Sequence, residues 1–299
     1  MAMYLDKINS LSPAAIHIIA DKGTEYPQTS SYNTVLTQGT YLCRRCGLAL
    51  FRAHSQFSAG CGWPSFDDSI ATHVKQLPDS DGYRTEIQCG RCDAHLGHVF
   101  VGEQFTSKNL RHCVNGVAVD FVTDETVLDT EEAIVAGGCF WGVDYYLKQL
   151  PGVLAVEAGY TGGDVSEPTY NQVCQHDTRH LEAVRVLFDP KKTSYHAVLK
   201  RFFEIHDPTQ QNGQGPDIGS QYRSAVFYYN QKQHDDVMDL IQQLKKNGYA
   251  VATEIREVQT FWPAEDYHQD YYTKHAKIPY CHQPIARFDI DNSHISPLS

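Results

Sequence analysis

The sequence predicts an α+β protein of two domains, an N-terminal, mostly antiparallel β domain and a C-terminal two-layer, plait-like α/β sandwich. The first observation is the length of 299 residues, which suits about two domains of ordinary size. The second is the uneven spread of the nine cysteines, most of which lie before residue 125. The third is the hydrophobic periodicity, which indicates strands and loops in the first half but strands and helices in the second.

An acidic, threonine-rich segment separates the two halves. It reads FVTDETVLDTEEA and lies between two apolar, strand-like runs. We therefore predict domains at 1–123 and 133–299, joined by a linker at 124–132. The polar tail from Asp291 is expected to fray.

Strand patterns dominate the first half. The best candidates are EIQC (86–89), HVFVG (98–102) and CVNGVAVDFV (113–122). Within the last run, apolar residues at 117, 119 and 121 alternate with Ala118 and Asp120, which is the period of a strand.

The second half mixes both periods. Strands are expected at AIVAGG (133–138), VLAVEAG (153–159), AVRVLF (183–188), SAVFYY (224–229) and VATEIREV (251–258). Apolar residues at helical spacing predict helices over 194–207 and 233–248. Ser194 is the expected N-cap of the first helix, and Asn247-Gly248 is the expected end of the second.

Composition and charge exclude several classes of protein. Hydrophobic residues make up 41% of the chain and charged residues 20%, a globular balance that argues against wholesale disorder. The net charge is −11 and both halves are acidic, so nucleic acid is not expected as a partner. The N-terminus has no signal-peptide pattern, and no apolar run is long enough to span a membrane. We therefore expect a soluble cytoplasmic protein without a membrane partner.

Two Cys-x-x-Cys pairs in the first half indicate a metal site. Zn²⁺ favours four thiolates in a tetrahedron, and Cys43, Cys46, Cys89 and Cys92 supply them from two tight turns. We expect one structural zinc ion in this domain. One alternative is a Cys₂His₂ site formed by Cys89, Cys92, His95 and His98, and another is a redox role for a single pair.

The two remaining cysteines of the first half define a candidate thiol centre. Cys61 lies between glycines in GCGWPSF, where the backbone is adaptable. Cys113 lies on a predicted strand, and Arg111 would share its face and lower the pKa of its thiol. His95 and His98 are candidate proton donors.

A second candidate centre begins at Cys139. The run AIVAGGCFWGVDYYLKQL predicts a strand, a Gly-Gly turn and a helix, and the positive end of the helix dipole would lower the pKa of Cys139. Phe140 and Trp141 would form an apolar wall suited to a thioether-like substrate. A carboxyl and phenols could surround a polarised oxygen; the candidates are Glu182, Asp217, Gln221, Tyr222 and Tyr170.

The first half resembles the zinc-containing methionine sulfoxide reductase B family. The resemblance rests on GCGWPSF, HLGHVF and RHCVNGVAVDF together with the two Cys-x-x-Cys pairs, and it covers nearly all of 10–123. It implies that Cys113 is the nucleophile, Cys61 the resolving cysteine and Trp63 the residue that packs on the substrate methyl group. It implies a polar part of the site formed by His95, His98, Arg111 and Asn115. The family usually has serine where this chain has Gly116.

The second half resembles the methionine sulfoxide reductase A family through GGCFWG, EPTY, HLEAV and GPDIGSQYRS, over roughly 132–285. The resemblance implies Cys139 as nucleophile, Cys281 as resolving cysteine and Glu182 as proton donor. It implies a methyl pocket of Phe140 and Trp141, and a sulfoxide oxygen held by Tyr170, Asp217 and Tyr222. Arg179 stands where many members have glycine. Cys174 is left over and is expected to be structural.

Together the two resemblances imply a bifunctional enzyme that reduces the R epimer of methionine sulfoxide in the first domain and the S epimer in the second. Each cysteine would pass through a sulfenic acid and a disulfide, and thioredoxin would restore the thiols. Two other classes stay open: a thiol peroxidase or general disulfide oxidoreductase, and a zinc-stapled binding module whose Cys113 and Cys139 would be unreactive.

Overall fold

The computed structural model describes residues 11–175 and 178–288. The chain divides into two units, one up to Glu131 and one from Glu132 on. The tail from Asp291, which the sequence predicts to fray, lies outside the described residues.

The N-terminal unit is built from short strands and one short helix, α1 (Pro13–Ile19), which Ser12 caps. Its strands are β1 (Thr40–Cys43), β2 (Ala49–Arg52), β3 (Gln56–Phe57), β4 (Ser65–Phe66), β5 (Val74–Pro78), β6 (Thr85–Cys89), β7 (His95–Val101), β8 (Leu110–Val114) and β9 (Val119–Val122). They form an antiparallel three-stranded sheet in the order β2-β1-β9 and an antiparallel six-stranded sheet in the order β3-β4-β8-β7-β6-β5.

The prediction of a single strand over 113–122 is wrong. A 3₁₀ turn at Gly116–Ala118 divides it into β8 and β9, which belong to different sheets. Asn115 precedes the turn, and its backbone N–H bonds the carbonyl of Leu96. The alternation of residues 117 to 121 therefore reflects two short segments that share one core rather than one continuous strand.

The C-terminal unit contains both helices and strands. Its strands are β10 (Glu131–Gly137), β11 (Val153–Thr161), β12 (Leu181–Phe188), β13 (Gly213–Gln214), β14 (Asp217–Ile218), β15 (Ser224–Tyr228), β16 (Glu254–Glu257) and β17 (Trp262–Pro263). Its helices are α2 (Phe140–Leu147), α3 (Tyr170–Cys174), α4 (Tyr195–Ile205), α5 (Gln231–Lys246) and α6 (Tyr271–Lys274). Strand β10 begins inside the segment that the sequence assigns to the linker.

Six strands of this unit form one sheet in the order β16-β15-β10-β12-β11-β17, in which β15 and β16 run parallel. Apolar residues of the sheet and of α2, α4 and α5 form one core, and a smaller cluster that includes Ile134, Leu181 and Phe227 forms another. The mixed α+β character predicted for the chain is thus present.

The predicted helix ends are close to those observed. Ser194 caps α4 by accepting a hydrogen bond from the Ala197 N–H at 3.2 Å. Helix α5 begins at Gln231, two residues before the predicted start, because Asn230 supplies the cap. It ends at Lys246 with Asn247 as its C-cap, at the predicted stop, and Gly248 follows with a φ of +89° that favours glycine.

Among the residues that the structure describes, no helix has the length and apolarity needed to cross a membrane.

Candidate active sites

The four cysteines of the two Cys-x-x-Cys pairs form one cluster. Their sulfur atoms all lie within 4.8 Å of one another. Cys43 Sγ lies 3.6 Å from Cys92 Sγ, and Cys46 Sγ lies 3.6 Å from Cys89 Sγ. A zinc ion with four Zn–S bonds of about 2.3 Å requires sulfur separations of about 3.8 Å, so this donor set fits tetrahedral zinc.

The alternative Cys₂His₂ set does not form, because both histidines bind carboxylates instead. His95 Nδ1 lies 2.7 Å from Glu86 Oε1, and His98 Nε2 lies 2.7 Å from Asp79 Oδ2. Residues 86 and 79 are carboxylate partners that the sequence reasoning missed.

The other two cysteines of the N-terminal unit meet at the edge between β8 and the loop that precedes β4. Cys61 Sγ lies 4.0 Å from Cys113 Sγ. Gly60 and Gly62 have φ values of +66° and +93°, so the flanking glycines are required by the turn that presents Cys61. The two sulfur atoms must approach to about 2.05 Å to form a disulfide bond. A small movement of the turn that presents Cys61 would bring them together.

The two thiols of this pair differ in acidity. Burial, followed by the neighbouring Cys61, raises the pKa of Cys113 to about 12, although the Arg111 charge acts in the opposite direction. Burial also acts to raise the pKa of Cys61, but hydrogen bonds with Ser65 and the Trp63 backbone and the Arg111 charge lower it overall. Cys61 is therefore the more acidic thiol in the reduced protein.

Arg111 is held firmly beside these sulfurs. Its guanidinium donates two hydrogen bonds to the Glu103 carboxylate, at 2.7 and 2.9 Å, and lies 4.4 Å from the centre of the Phe100 ring. Its remaining Nη1 lies 3.6 Å from Cys61 Sγ. The predicted approach of Arg111 to a cysteine is present, and its charge acts to lower the pKa of both Cys113 and Cys61.

The histidines of β7 have defined tautomers. A carboxylate only accepts hydrogen bonds, so neutral His95 carries its proton on Nδ1 and neutral His98 on Nε2. His95 Nε2 is buried without a hydrogen-bond partner in the described structure, and burial lowers the pKa of His95. His98 pairs with Cys113 across neighbouring strands. Each neutral ring uses its one N–H group for the carboxylate, so its other nitrogen can donate a proton only when the ring is positively charged.

An N-terminal segment braces two predicted site residues, Trp63 and Asn115. Trp63 Nε1 donates to the Glu25 carbonyl at 3.2 Å, and the Glu25 N–H donates to Asn115 Oδ1 at 3.1 Å. The Glu25 carboxylate accepts the N–H groups of Gly116 and Val117 at 2.6 and 3.0 Å. Sequence reasoning missed Glu25, whose partners are distant along the chain.

The glycine at position 116 leaves space for a serine from elsewhere. A Cβ on Gly116 would lie 1.9 Å from the Ser30 hydroxyl oxygen. The Ser30 hydroxyl therefore occupies the space that a side chain at position 116 would take. Ser30 also lines a cavity of about 370 Å³ beside Trp63.

The second centre lies where β10 turns into α2. Gly138, with a φ of +95°, makes the turn, and Cys139 is the N-cap residue of the helix. The sulfur atoms of Cys139 and Cys281 and a carboxylate oxygen of Asp217 all lie within 4.8 Å of one another. The strand, the turn and the helix start are as the sequence predicts.

The expected lowering of the pKa of Cys139 is wrong for the reduced protein. The hydrogen bond with Cys281, then burial and the charge of Glu182, raise the pKa of Cys139 well above its usual value. The same bond and the contact with His282 lower the pKa of Cys281 to about 6, against the effect of burial. The helix start stabilises a thiolate by too little to compensate for these neighbours.

Glu182 is a buried carboxyl beside this pair. It lies on β12 and is 1% exposed, and it accepts the Phe140 N–H at 3.1 Å. Burial raises the pKa of Glu182 to about 8, so the carboxyl is largely protonated at neutral pH. A protonated carboxyl next to a cysteine can serve as a general acid.

The aromatic wall of this centre contains more residues than the sequence predicts. Phe140 is buried, and Trp141 stacks on Tyr271 with ring centres 3.6 Å apart and nearly parallel planes. Trp141 Nε1 donates to His268 Nδ1 at 3.0 Å. Sequence reasoning missed His268 and Tyr271, although the aromatic run DYHQDYY (266–272) is a signal that could have indicated them.

The predicted polar residues lie around Glu182. The Tyr280 hydroxyl donates to both oxygens of Asp217, at 2.9 and 3.1 Å. Burial, followed by the charge of Glu182, raises the pKa of Tyr222. Burial, followed by a hydrogen bond with Cys174, raises the pKa of Tyr170. Cys174 thus contacts a predicted site residue instead of a second cysteine.

Close cysteine pairs beside proton donors and aromatic rings define a thiol-dependent oxidoreductase. The Peptide methionine sulfoxide reductase family model matches residues 131–294, and the SelR domain model matches residues 11–123. The chain belongs to the peptide methionine sulfoxide reductase family, with a B-type (SelR) domain before the A-type domain, and it is an oxidoreductase that reduces methionine sulfoxide.

Two similar proteins carry the name of this family. Peptide methionine sulfoxide reductase MsrA of Methanosarcina acetivorans is 50% identical over 48% of this chain and 78% of its own length. The protein of that name from Acinetobacter baumannii is 46% identical over 52% of this chain and 90% of its own. Among solved structures, Mxr1 from Saccharomyces cerevisiae in reduced form is 33% identical over 52% of this chain and 92% of its own, with a TM-score of 0.49.

Proposed function

We propose that the two units reduce opposite epimers of methionine sulfoxide, free or in proteins: the R epimer in a domain of residues 1–123 and the S epimer in a two-layer, plait-like domain of residues 133–299. Residues 124–132 would link them. The observation that carries this proposal is the presence of one close cysteine pair in each unit, with sulfurs 4.0 Å apart in the first and within 4.8 Å in the second. Two pockets make chemical sense because oxidised methionine has two sulfur epimers.

In the C-terminal unit, Cys139 is the nucleophile and Glu182 the acid. The Cys139 sulfur attacks the sulfoxide sulfur, the Glu182 carboxyl protonates the sulfoxide oxygen, and the thiol proton passes to the Glu182 carboxylate. The substrate S–O bond breaks as the hydroxyl moves to the Cys139 sulfur. Methionine departs and Cys139 becomes a sulfenic acid. Phe140 and Trp141 hold the methyl group, while Tyr170, Asp217 and Tyr222 hold the oxygen.

In the N-terminal unit, Cys113 is the nucleophile and Trp63 packs on the substrate methyl group. Arg111 and the imidazolium form of His95 or His98 supply positive charge and a proton where the oxygen becomes negative. Asn115 donates its amide to the Leu96 carbonyl and accepts the Glu25 N–H, so it acts by holding the strand end in place.

Each sulfenic acid then condenses with a resolving thiol, Cys61 or Cys281. A disulfide forms and water leaves, so the methionine product carries away the two electrons that the thiols lose. A dithiol protein such as thioredoxin returns both electrons by disulfide exchange.

We further propose that Cys43, Cys46, Cys89 and Cys92 bind one structural zinc ion. The ion would tie the turn after β1 to the turn after β6. It would supply stability, because all four donor positions are filled by protein and none is left for substrate.

The proposal is tested by assaying the separated R and S epimers with dithiothreitol as reductant. The variant Cys113→Ser should lose only R-epimer reduction, and Cys139→Ser only S-epimer reduction. Cys174→Ser is the matched control and should retain both. Retention of both epimers by either nucleophile variant would contradict the assignment, and a parent protein that consumes peroxide but neither epimer would indicate a thiol peroxidase.

A further inference from the structure

The histidine that follows Cys281 is buried between Cys281 and the strand that leads to Cys139. His282 is 1% exposed. Its Nδ1 lies 3.0 Å from Cys281 Sγ, and its Nε2 lies 2.7 Å from the carbonyl oxygen of Gly137, two residues before Cys139. One imidazole ring thus connects the resolving cysteine to the strand that presents the nucleophile.

The contact with Gly137 determines the tautomer of this ring. A carbonyl oxygen only accepts hydrogen bonds, so Nε2 carries a proton and donates it. In the neutral ring, the lone pair is therefore on Nδ1, which faces the Cys281 sulfur. This arrangement positions a base against the thiol of Cys281.

The space for the ring is created by glycines of the GGCFWG segment. A Cβ on Gly142 would lie 2.2 Å from His282 Nδ1, and one on Gly138 would lie 3.4 Å from its Cε1. A side chain at position 142 would thus displace the ring. The Tyr146 hydroxyl also donates to the His282 carbonyl at 3.4 Å, which anchors the backbone behind the ring.

We propose that His282 is the general base that takes the Cys281 proton for attack on the sulfenic acid of Cys139. This inference rests on the proposed function, in which Cys139 is the nucleophile and Cys281 resolves. The proton moves from Cys281 Sγ to His282 Nδ1, and the thiolate attacks Cys139 Sγ. The S–S bond forms, the S–OH bond breaks, and the departing hydroxide takes the proton back from the imidazolium to leave as water.

The electrostatics of the centre agree with this direction of proton transfer. Hydrogen bonds with Cys139 and then with His282 lower the pKa of Cys281 to about 6, although burial opposes them. Several other titratable groups interact electrostatically with Cys281 or His282 from the surrounding elements: Tyr146, Glu182, His206, Asp217, Tyr272 and Tyr280. In the described contacts, none of these groups lies within 3.0 Å of the Cys281 sulfur. His282 Nδ1 lies at 3.0 Å from it.

The test follows one turnover of the S epimer without reductant. Released methionine reports the attack by Cys139, and loss of free thiols reports the disulfide. In His282→Gln, the rate of disulfide formation should fall about 100-fold more than the rate of methionine release, which is within the usual contribution of a general base. A trap for sulfenic acid should label Cys139 in this variant. The matched control is His275→Gln, an exposed histidine of the same unit, which should behave as the parent.

A pH profile separates a base from a packing residue. In the parent, disulfide formation should slow as the pH falls and the Cys281 thiol, whose pKa hydrogen bonds with Cys139 and then His282 lower, becomes protonated. In His282→Gln the decline should move upward by more than one unit, toward the usual thiol pKa of about 8.5. If His282 had a purely structural role, the pH profile of disulfide formation in His282→Gln would match that of the parent.

The outcomes distinguish the inference from the function on which it rests. If the parent releases no methionine from the S epimer, both fail. If the parent forms the disulfide and His282→Gln forms it at the same rate, or with the same pH profile, only the role of His282 is contradicted. An equal fall of methionine release and disulfide formation in His282→Gln would also contradict it.

Discussion

Each of the two centres contains a pair of cysteine thiols, and the surroundings of the two pairs differ. In the N-terminal unit, the Cys113 sulfur lies on a strand, and a guanidinium faces the Cys61 sulfur at 3.6 Å. In the C-terminal unit, Cys139 caps a helix beside the buried carboxyl of Glu182, and a histidine faces the Cys281 sulfur at 3.0 Å. In both, burial and the partner raise the pKa of the proposed nucleophile, while the proposed resolving thiol is the more acidic one.

The comparison teaches that in the reduced protein neither proposed nucleophile is the more acidic thiol of its pair. In the proposed reaction, the proton for the sulfoxide oxygen would come from Glu182 in the C-terminal unit and from His95 or His98 in the N-terminal unit. The predictions below alter one unit at a time.

The largest effect is expected from loss of a zinc thiolate. Cys46→Ser should remove the metal and with it R-epimer reduction, because a structural zinc ion contributes about 10 kcal/mol to the folding of a small domain. S-epimer reduction should persist, since the C-terminal unit has its own core. Zinc content and both activities are measured together. Equal loss of the two activities would contradict the independence of the units, and an unchanged zinc content would contradict the ligand set.

The next effect concerns the proposed acid. Glu182→Gln should reduce the rate of S-epimer reduction about 100-fold, because the amide cannot supply a proton. In the parent, the protonated form is present below the carboxyl pKa of about 8, so the rate should fall as pH rises through that value. The variant should lack this decline. A pH profile with the same alkaline limb in parent and variant would show that another group supplies the proton.

A smaller effect should follow loss of the brace in the N-terminal unit. Glu25→Ala leaves two backbone N–H groups, those of Gly116 and Val117, without their carboxylate and should lower the free energy of unfolding of this unit by about 1–3 kcal/mol. Thermal unfolding followed with R-epimer activity measures it. Glu125→Ala, which removes another carboxylate of the same unit, is the control, and equal stabilities of the two variants would contradict the bracing role.

The smallest effect is expected at Arg179 in the C-terminal unit. Its φ is +59°, in the left-handed region that favours glycine, and its ion pair with Asp164 is exposed. Arg179→Gly should therefore stabilise this unit by up to about 1 kcal/mol without changing S-epimer reduction. A destabilised variant in chemical denaturation would show that the ion pair outweighs the backbone strain.

Local patterns predicted those parts of the molecule that local physics determines. The turn and helix start at Cys139, the cap at Ser194 and the thiolates of the Cys-x-x-Cys pairs all depend on neighbours in sequence. The mixed strand and helix periods likewise indicated the α+β class.

Partners that only the fold brings together were not predictable in the same way. Glu25 and Asn115 are 90 residues apart in the chain, and nothing in the sequence shows that they meet. The pKa of Cys139 was misjudged because the helix start is visible in sequence, whereas the approach of Cys281 and the burial of Glu182 are not. The strand predicted over 113–122 failed because alternation continues through the 3₁₀ turn at Gly116–Ala118.

The central claim is that each epimer is reduced by one cysteine pair, and mapping disulfides after a single turnover tests it most directly. The reduced protein is mixed with one equivalent of one epimer, alkylated and digested, and its disulfides are identified by mass spectrometry. The account predicts only the Cys61–Cys113 bond after the R epimer and only the Cys139–Cys281 bond after the S epimer. Either bond appearing with the other epimer, or a disulfide that joins the two pairs, would contradict it.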